Sequence, residues 1–266
     1  MFDIHRVRTI IRKEWAEVFK NRVVLFTITL LPLIFTALPL IMLSVFGSNP
    51  NISGGDSADV PAQFALACGN LPANDCMQIY LINEFLLLYL IMPVAIPITI
   101  AAYSIVGEKA TRSLEPLLAT PITTEELLTG KGLAAVIPAV GATYGAFILF
   151  LAVSPLTGIS SAVWHYLAGP TWLLAILLVG PLMAVTAVTF AMFVSFRTSD
   201  PRVAEQVSAV LVLPVMLVLF SQVAGLITIN VPAVLIAAVV LLLIDVGLVA
   251  AGSRLFQRET ILTRWK

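Results

Sequence analysis

The sequence predicts an all-α integral membrane protein with six transmembrane helices, an amphipathic N-terminal elbow helix, and a short helix in the loop between spans two and three. Three observations carry this. Hydrophobic residues make up 59% of the 266 and charged residues 11%, which excludes an ordinary soluble domain. Six apolar stretches, approximately 23–47, 81–106, 131–153, 169–196, 206–228 and 232–252, each reach the roughly 20 residues that cross about 30 Å of hydrocarbon. All 15 Lys and Arg lie on one side of the resulting alternation, in 1–22, in 107–131, at Arg197 and Arg202, and in the tail 253–266. Positive charge resists translocation, so that side, with both termini, is expected to be cytoplasmic. The formal net charge of zero then says nothing about partners, and no nucleic-acid motif is present.

Residues 1–22 read as a helix lying at the membrane surface. Ile4, Val7, Ile11, Trp15 and Val18 recur at spacings of three and four, while Arg6, Arg12, Lys13, Glu17 and Lys20 take other faces. Such a helix is either an elbow that docks beside the bundle and touches a partner, or a plain anchor. The first apolar run follows this long charged segment without an evident small-residue cleavage site, so it is expected as a retained span and not a signal peptide.

The outer loop 48–80 holds both cysteines, Cys68 and Cys76. In an oxidising compartment they would close a short loop with a disulfide, contributing about 2–3 kcal/mol in the chain-entropy account; the alternative is two free thiols. Prolines interrupt five spans, at Pro32, Pro39, Pro93, Pro97, Pro138, Pro181 and Pro214. Each removes a backbone donor and tends to kink its helix. Kinks suit a bundle that flexes, although proline is also ordinarily frequent in membrane helices. Trp164, His165 and Tyr166 cluster before the fourth span and read as an interfacial belt. No metal-ligand cluster accompanies His165. Glu84, at the outer start of the second span, is expected to reach water. Asp245 is then the ionisable residue well inside the hydrocarbon, where an acid must face protein or water. It suits a hydrogen bond to a neighbouring helix, or else the lining of a path.

Seven charged residues interrupt the apolar chain between Gly107 and Lys131. Thr123 and Glu126 have capping-box spacing, so the third helix should begin in water, several residues before Lys131. Ser113 caps a short helix over 114–119, with Pro116 in its first turn and Pro121 ending it. That helix would offer Leu114, Leu117 and Leu118 to a groove, rimmed by Glu108, Lys109, Arg112 and Glu115.

This segment also resembles a known family. Gly107-Glu108-Lys109, Ser113-Leu114-Glu115, Leu117-Leu118-Ala119-Thr120-Pro121-Ile122, Glu125-Glu126-Leu127-Leu128 and Gly130-Lys131 look like the first cytoplasmic loop of type-2 ABC transporter permeases. Arg12-Lys13-Glu14 ahead of the first span and Arg254-Leu255-Phe256-Gln257-Arg258-Glu259 near the end match the same pattern, so the resemblance covers nearly the whole chain. It implies a permease subunit of the plasma membrane of a prokaryote, an exporter that pairs with a second permease and engages cytoplasmic ATPase subunits. By the resemblance, Ser113, Leu114, Glu115, Leu117 and Leu118 seat in the ATPase, Glu108, Lys109 and Arg112 hold the rim, and the elbow helix lies alongside. No Walker A pattern occurs around Gly130-Lys131, so ATP and Mg are expected on the partner ATPase, with no cofactor and no enzymatic activity in this chain. Two other classes fit less well. A stand-alone channel or secondary transporter usually needs more intramembrane polar groups than Asp245, and an intramembrane enzyme would need a motif such as Gly-x-Ser-x-Gly. The apolar spans suit a hydrophobic or amphiphilic cargo, but permeases of the family it resembles with equally apolar spans move polysaccharides or serve metal and antibiotic-resistance systems, so the sequence does not set the cargo.

Overall fold

The computed structural model of the chain describes residues 3–48, 68, 71–110 and 122–255. No strand occurs among them, and six helical stretches are long and apolar enough to cross a membrane. The expected helix over 114–119, with Arg112, Ser113, Leu114, Glu115, Leu117 and Leu118, lies outside the described residues, as do the side chains of Glu108 and Lys109.

Helix α1 (Ile4–Val18) precedes span one, the single helix α2 (Arg22–Ser48). Span two is broken into α3 (Ala73–Tyr89) and α4 (Met92–Ala110). Pro93 explains the break, because it brings no N–H for the carbonyl of Tyr89, and the Leu90 and Ile91 amides turn back to Leu87 and Leu88 at 3.0 Å. Span three is α5 (Thr124–Val153), followed by a 3₁₀ turn, Ser154–Thr157. Two short helices, α6 (Ser161–Leu167) and α7 (Pro170–Leu174), and a π turn, Ala175–Val179, lead into α8 (Gly180–Arg197). Span five comprises α9 (Pro201–Ser208), a 3₁₀ turn at Ala209–Leu211, and α10 (Val212–Val223). Span six is α11 (Val231–Leu255). Spans two to five begin five or more residues earlier than their apolar runs, since polar side chains near their starts find partners on adjacent helices.

Span two is the axis of the bundle. In its most apolar window 78% of residues are buried, against 17% in spans one, five and six. Between membrane helices the hydrophobic effect supplies little, so close backbone approach and hydrogen bonds must hold them together. The seam among α4, α5 and α8 is built accordingly from fully buried Ala102, Ala135, Ala139, Ala184, Ala187 and Ala191. Polar pairs fasten the outer helices to it. The Tyr89 hydroxyl meets Thr36 of span one at 3.2 Å, and the Thr186 hydroxyl of span four lies 2.5 Å from Asp245 of span six. Asp245 is 5% exposed, so its contact is a helix-to-helix bond.

Two of the prolines have an unexpected companion. Pro138 leaves the carbonyl of Ala134 without its intrahelical donor, and the indole N–H of Trp15 donates to that oxygen at 2.9 Å. Pro181 does the same to Leu177, whose carbonyl accepts from the Tyr144 hydroxyl at 2.8 Å. In each case an aromatic side chain of a neighbouring helix takes the place of the missing amide. At the opposite end of the bundle, Cys68 and Cys76 are joined as a disulfide with a Cα–Cα distance of 5.7 Å. There Tyr166 faces inward, its hydroxyl donating to Asn83 at 3.2 Å, so this ring serves helix packing and not the interfacial belt.

Candidate functional site

The basic end of the bundle carries the densest polar network among the described residues, and it joins three elements: α1, the last turns of α4 and the first turns of α5. Helix α1 forms because Asp3 caps it, its carboxylate accepting from the His5 amide at 2.8 Å. Its inward stripe is Val7, Ile10, Glu14 and Val18, with Ile11 and Trp15 half-buried beside it. Ile4, expected on the apolar stripe, is instead 76% exposed.

The start of α5 is fixed by the capping box that its sequence predicts. The Thr123 hydroxyl accepts from the Glu126 amide at 3.2 Å, and the Glu126 carboxylate accepts from the Thr123 amide at 2.9 Å. Glu126 does more than close its own helix. Its other oxygen accepts from the Asp3 amide at 2.8 Å, and Arg6 lies 3.5 Å from the oxygen bonded to Thr123. One fully buried carboxylate therefore caps α5 and holds the first turn of α1 against it.

One helical turn further on, α1 meets α5 without spacing. A Cβ at Gly130 would fall 2.7 Å from the Ile10 side chain. Beyond this contact the Glu14 carboxylate, 2% exposed, is 2.7 Å from the ammonium of Lys131, itself 6% exposed. Ser104 of α4 completes the set: it accepts from Lys131 at 2.9 Å and donates to the second oxygen of Glu14. Lys13 stands 3.8 Å from Glu14 at the solvent edge. A buried ion pair with its remaining hydrogen bonds satisfied is tolerated, whereas either partner alone would be a costly buried charge. The Trp15 indole on Ala134 ends the row, so α1 is held at Glu126, Gly130, Lys131 and Ala134 along one face of α5.

Ser104 lies seven positions before the undescribed stretch 111–121, and Thr123 stands just after it. The described residues on either side of that stretch are thus bridged by α1. Periodicity singled out Val7, Ile11 and Trp15 but missed Glu14, Lys131 and Ser104. A signal was present: Glu14 sits four residues after Ile10 and four before Val18, an acid on the apolar stripe, and such an acid requires a buried cation.

Elsewhere, Glu84 departs from expectation. It is half-buried and accepts from the Gln222 side chain of α10 at 3.0 Å, because α3 starts at Ala73 and carries Glu84 about three turns into the helix instead of leaving it at the rim. Glu205 of α9 likewise accepts from the Thr99 hydroxyl of α4 at 2.7 Å. Asp245 is therefore one of several ionisable residues within the candidate spans.

A family model described as ABC-2 family transporter protein matches residues 8–243. No curated protein matches the chain.

Proposed function

The chain belongs to the ABC-2 family of transporter proteins, and from that premise we propose that it is the permease subunit of an exporter, paired with a second permease and driven by separate cytoplasmic ATPase subunits that bind ATP and Mg. The observation that carries this reading is the bridge at the basic end. Helix α1, α4 through Ser104, and α5 through Glu126 and Lys131 are locked to one another around the 111–121 loop. A force applied at the loop or at α1 therefore reaches spans two and three together. Span two is the most buried of the six, so displacing it repacks the whole subunit.

In this reading the basic end, with both chain ends, faces the cytoplasm where ATP is available, in keeping with the placement of all 15 Lys and Arg. Leu114, Glu115, Leu117 and Leu118 seat in the ATPase, Glu108, Lys109 and Arg112 form the rim, and α1 is the elbow that backs them. Residues 1–22 form the elbow region, 23–252 the membrane domain and 253–266 a cytoplasmic tail. The chain supplies no catalytic group; its part is mechanical, to carry a displacement from loop to spans.

Affinity purification of the tagged chain in mild detergent tests the reading, with a Walker-containing ATPase expected in the eluate. Its absence under conditions that preserve such complexes, with transport persisting after ATP depletion, rejects the proposal in favour of a stand-alone transporter. Within the complex, Leu117→Asp is expected to lower ATPase recovery at least tenfold while leaving membrane insertion unchanged, because an ionised carboxylate resists burial at an apolar contact. Equal recovery would move the contact elsewhere.

A further inference from the structure

At the end of the bundle away from the arginines, spans two and five meet through a pair of side chains left half-satisfied. The Gln222 amide N–H donates to one oxygen of Glu84 at 3.0 Å. The other carboxylate oxygen of Glu84 and the amide oxygen of Gln222 are both buried, and neither has a hydrogen-bond partner among the described residues. Gln222 is 2% exposed, so water does not reach its oxygen. Two adjacent buried acceptors without a donor are unusual, because each costs desolvation that nothing repays.

The chain itself has no cation to offer them. No Lys or Arg occurs between Arg22 and Lys109, between Lys131 and Arg197, or between Arg202 and Arg254. Gln222 lies about 30 Å along span five from Arg202, at 1.5 Å per residue. His165, the histidine at this end, is exposed on α6 with its ring against Trp164. A second copy of the chain would bring the same distribution. Within the polypeptide the alternative is a proton on Glu84, whose O–H would donate to the Gln222 oxygen; a cationic complement would therefore come from outside it.

Its chemistry follows from the two oxygens. A hard metal ion takes about six oxygen ligands, and the pair leaves two free. A quaternary ammonium has no N–H to give. A primary ammonium has three, enough to donate to Glu84 and Gln222 together, and charge-assisted bonds of this kind are the stronger ones. Around the pair span five turns Val218, Phe220 and Val223 outward, a surface suited to an alkyl body.

We propose that Glu84 and Gln222 form a recognition point for the primary ammonium group of an amphiphilic cargo, reached when spans two and five separate. The assignment deepens the permease reading and rests on it for the word cargo, but the binding itself is a property of this chain alone. The test uses the purified full-length chain in phosphatidylcholine nanodiscs, with tritiated dodecylamine as probe and uptake by empty nanodiscs subtracted. Saturable binding is expected, displaced by unlabelled dodecylamine and not by dodecan-1-ol, which has the same tail without the charge. Glu84→Gln should weaken it at least about tenfold, and Gln222→Leu by a few-fold, from the loss of a charge-assisted and a neutral hydrogen bond respectively. Asp245→Asn, which alters a carboxyl group elsewhere in the membrane, should leave it unchanged. If Glu84→Gln fails to incorporate, Gln222→Leu carries the comparison, since it keeps the carboxylate. Absence of saturable binding, equal displacement by the alcohol, or full binding by both Glu84→Gln and Gln222→Leu overturns the proposal. Because no ATPase is present, such a failure leaves the permease reading intact, and a missing ATPase in the purification would leave the binding result intact.

Discussion

Glu14 and Lys131 show how one pair of charges can position an entire helix. Neither residue is tolerable in its place without the other, since both are nearly without solvent and their contact is 2.7 Å. Lys131→Met should leave the Glu14 carboxylate buried, with Ser104 and the rim Lys13 as its remaining partners among the described residues, and lower stability by about 3–5 kcal/mol. Glu14→Leu combined with Lys131→Met removes both charges, and its loss should be much smaller than that of either single change. Thermal unfolding of the four proteins in one detergent measures the cycle. Additive losses would mean that the two charges do not depend on each other. These residues were hard to read in the sequence, because Glu14 and Lys131 are 117 positions apart and a periodic stripe identifies a buried face without naming what lies opposite. Glu84 was misread for a related reason: the polar first turns of α3 resemble a loop until Asp75 and Asn83 are seen to meet Ser160 and Tyr166.

Element boundaries were legible where local chemistry alone sets them. Thr123 and Glu126 start α5 at the residue their spacing demands, and Pro93 divides span two. Helix-to-helix distance was not legible, because it depends on which small residue meets which large one. Gly130 is the clearest instance. Alanine there would drive its methyl into Ile10, and overpacking of this kind costs about 1–3 kcal/mol. Gly130→Ala is therefore expected to loosen α1 from α5, read as faster proteolysis within residues 3–18 while the spans stay protected. Adding Ile10→Ala should restore the docking by making room for the methyl. Unchanged proteolysis in the single variant would show that α1 is held by its polar contacts alone. The capping box and the glycine contact lie one above the other on α5, so α1 is fixed by a sequence feature that is easily recognised and by one that is not.

As a whole, the subunit pairs a well-buried axis with outer helices that leave most of their apolar surface free. Spans one, five and six bury 17% of their most apolar windows, which leaves an apolar surface suited to lipid. The all-α class and the six spans were evident from hydropathy, since a membrane-spanning backbone must satisfy its own hydrogen bonds. Sidedness rests on the positive charges and has a direct check. In a background with Cys68 and Cys76 replaced by serine, Ser161→Cys should react with a membrane-impermeant maleimide on intact cells. Arg202→Cys should react only after lysis. Both residues are exposed, so a reversed pattern would turn the molecule over and remove residues 111–121 from the compartment that holds ATP.

The indole of Trp15 on the carbonyl that Pro138 leaves open has a consequence for how such a chain can change through descent. A helix with any other residue at 138 supplies its own amide to Ala134, and a donor at 15 then shares a carbonyl whose first hydrogen bond is already made. A loss of proline should thus relax the demand for tryptophan, and a loss of tryptophan should strand the carbonyl. The same holds for Tyr144 and Pro181 through Leu177. Among sequences sharing this fold, positions 15 and 138, and positions 144 and 181, are expected to vary as pairs, a correlated history written by two missing hydrogens.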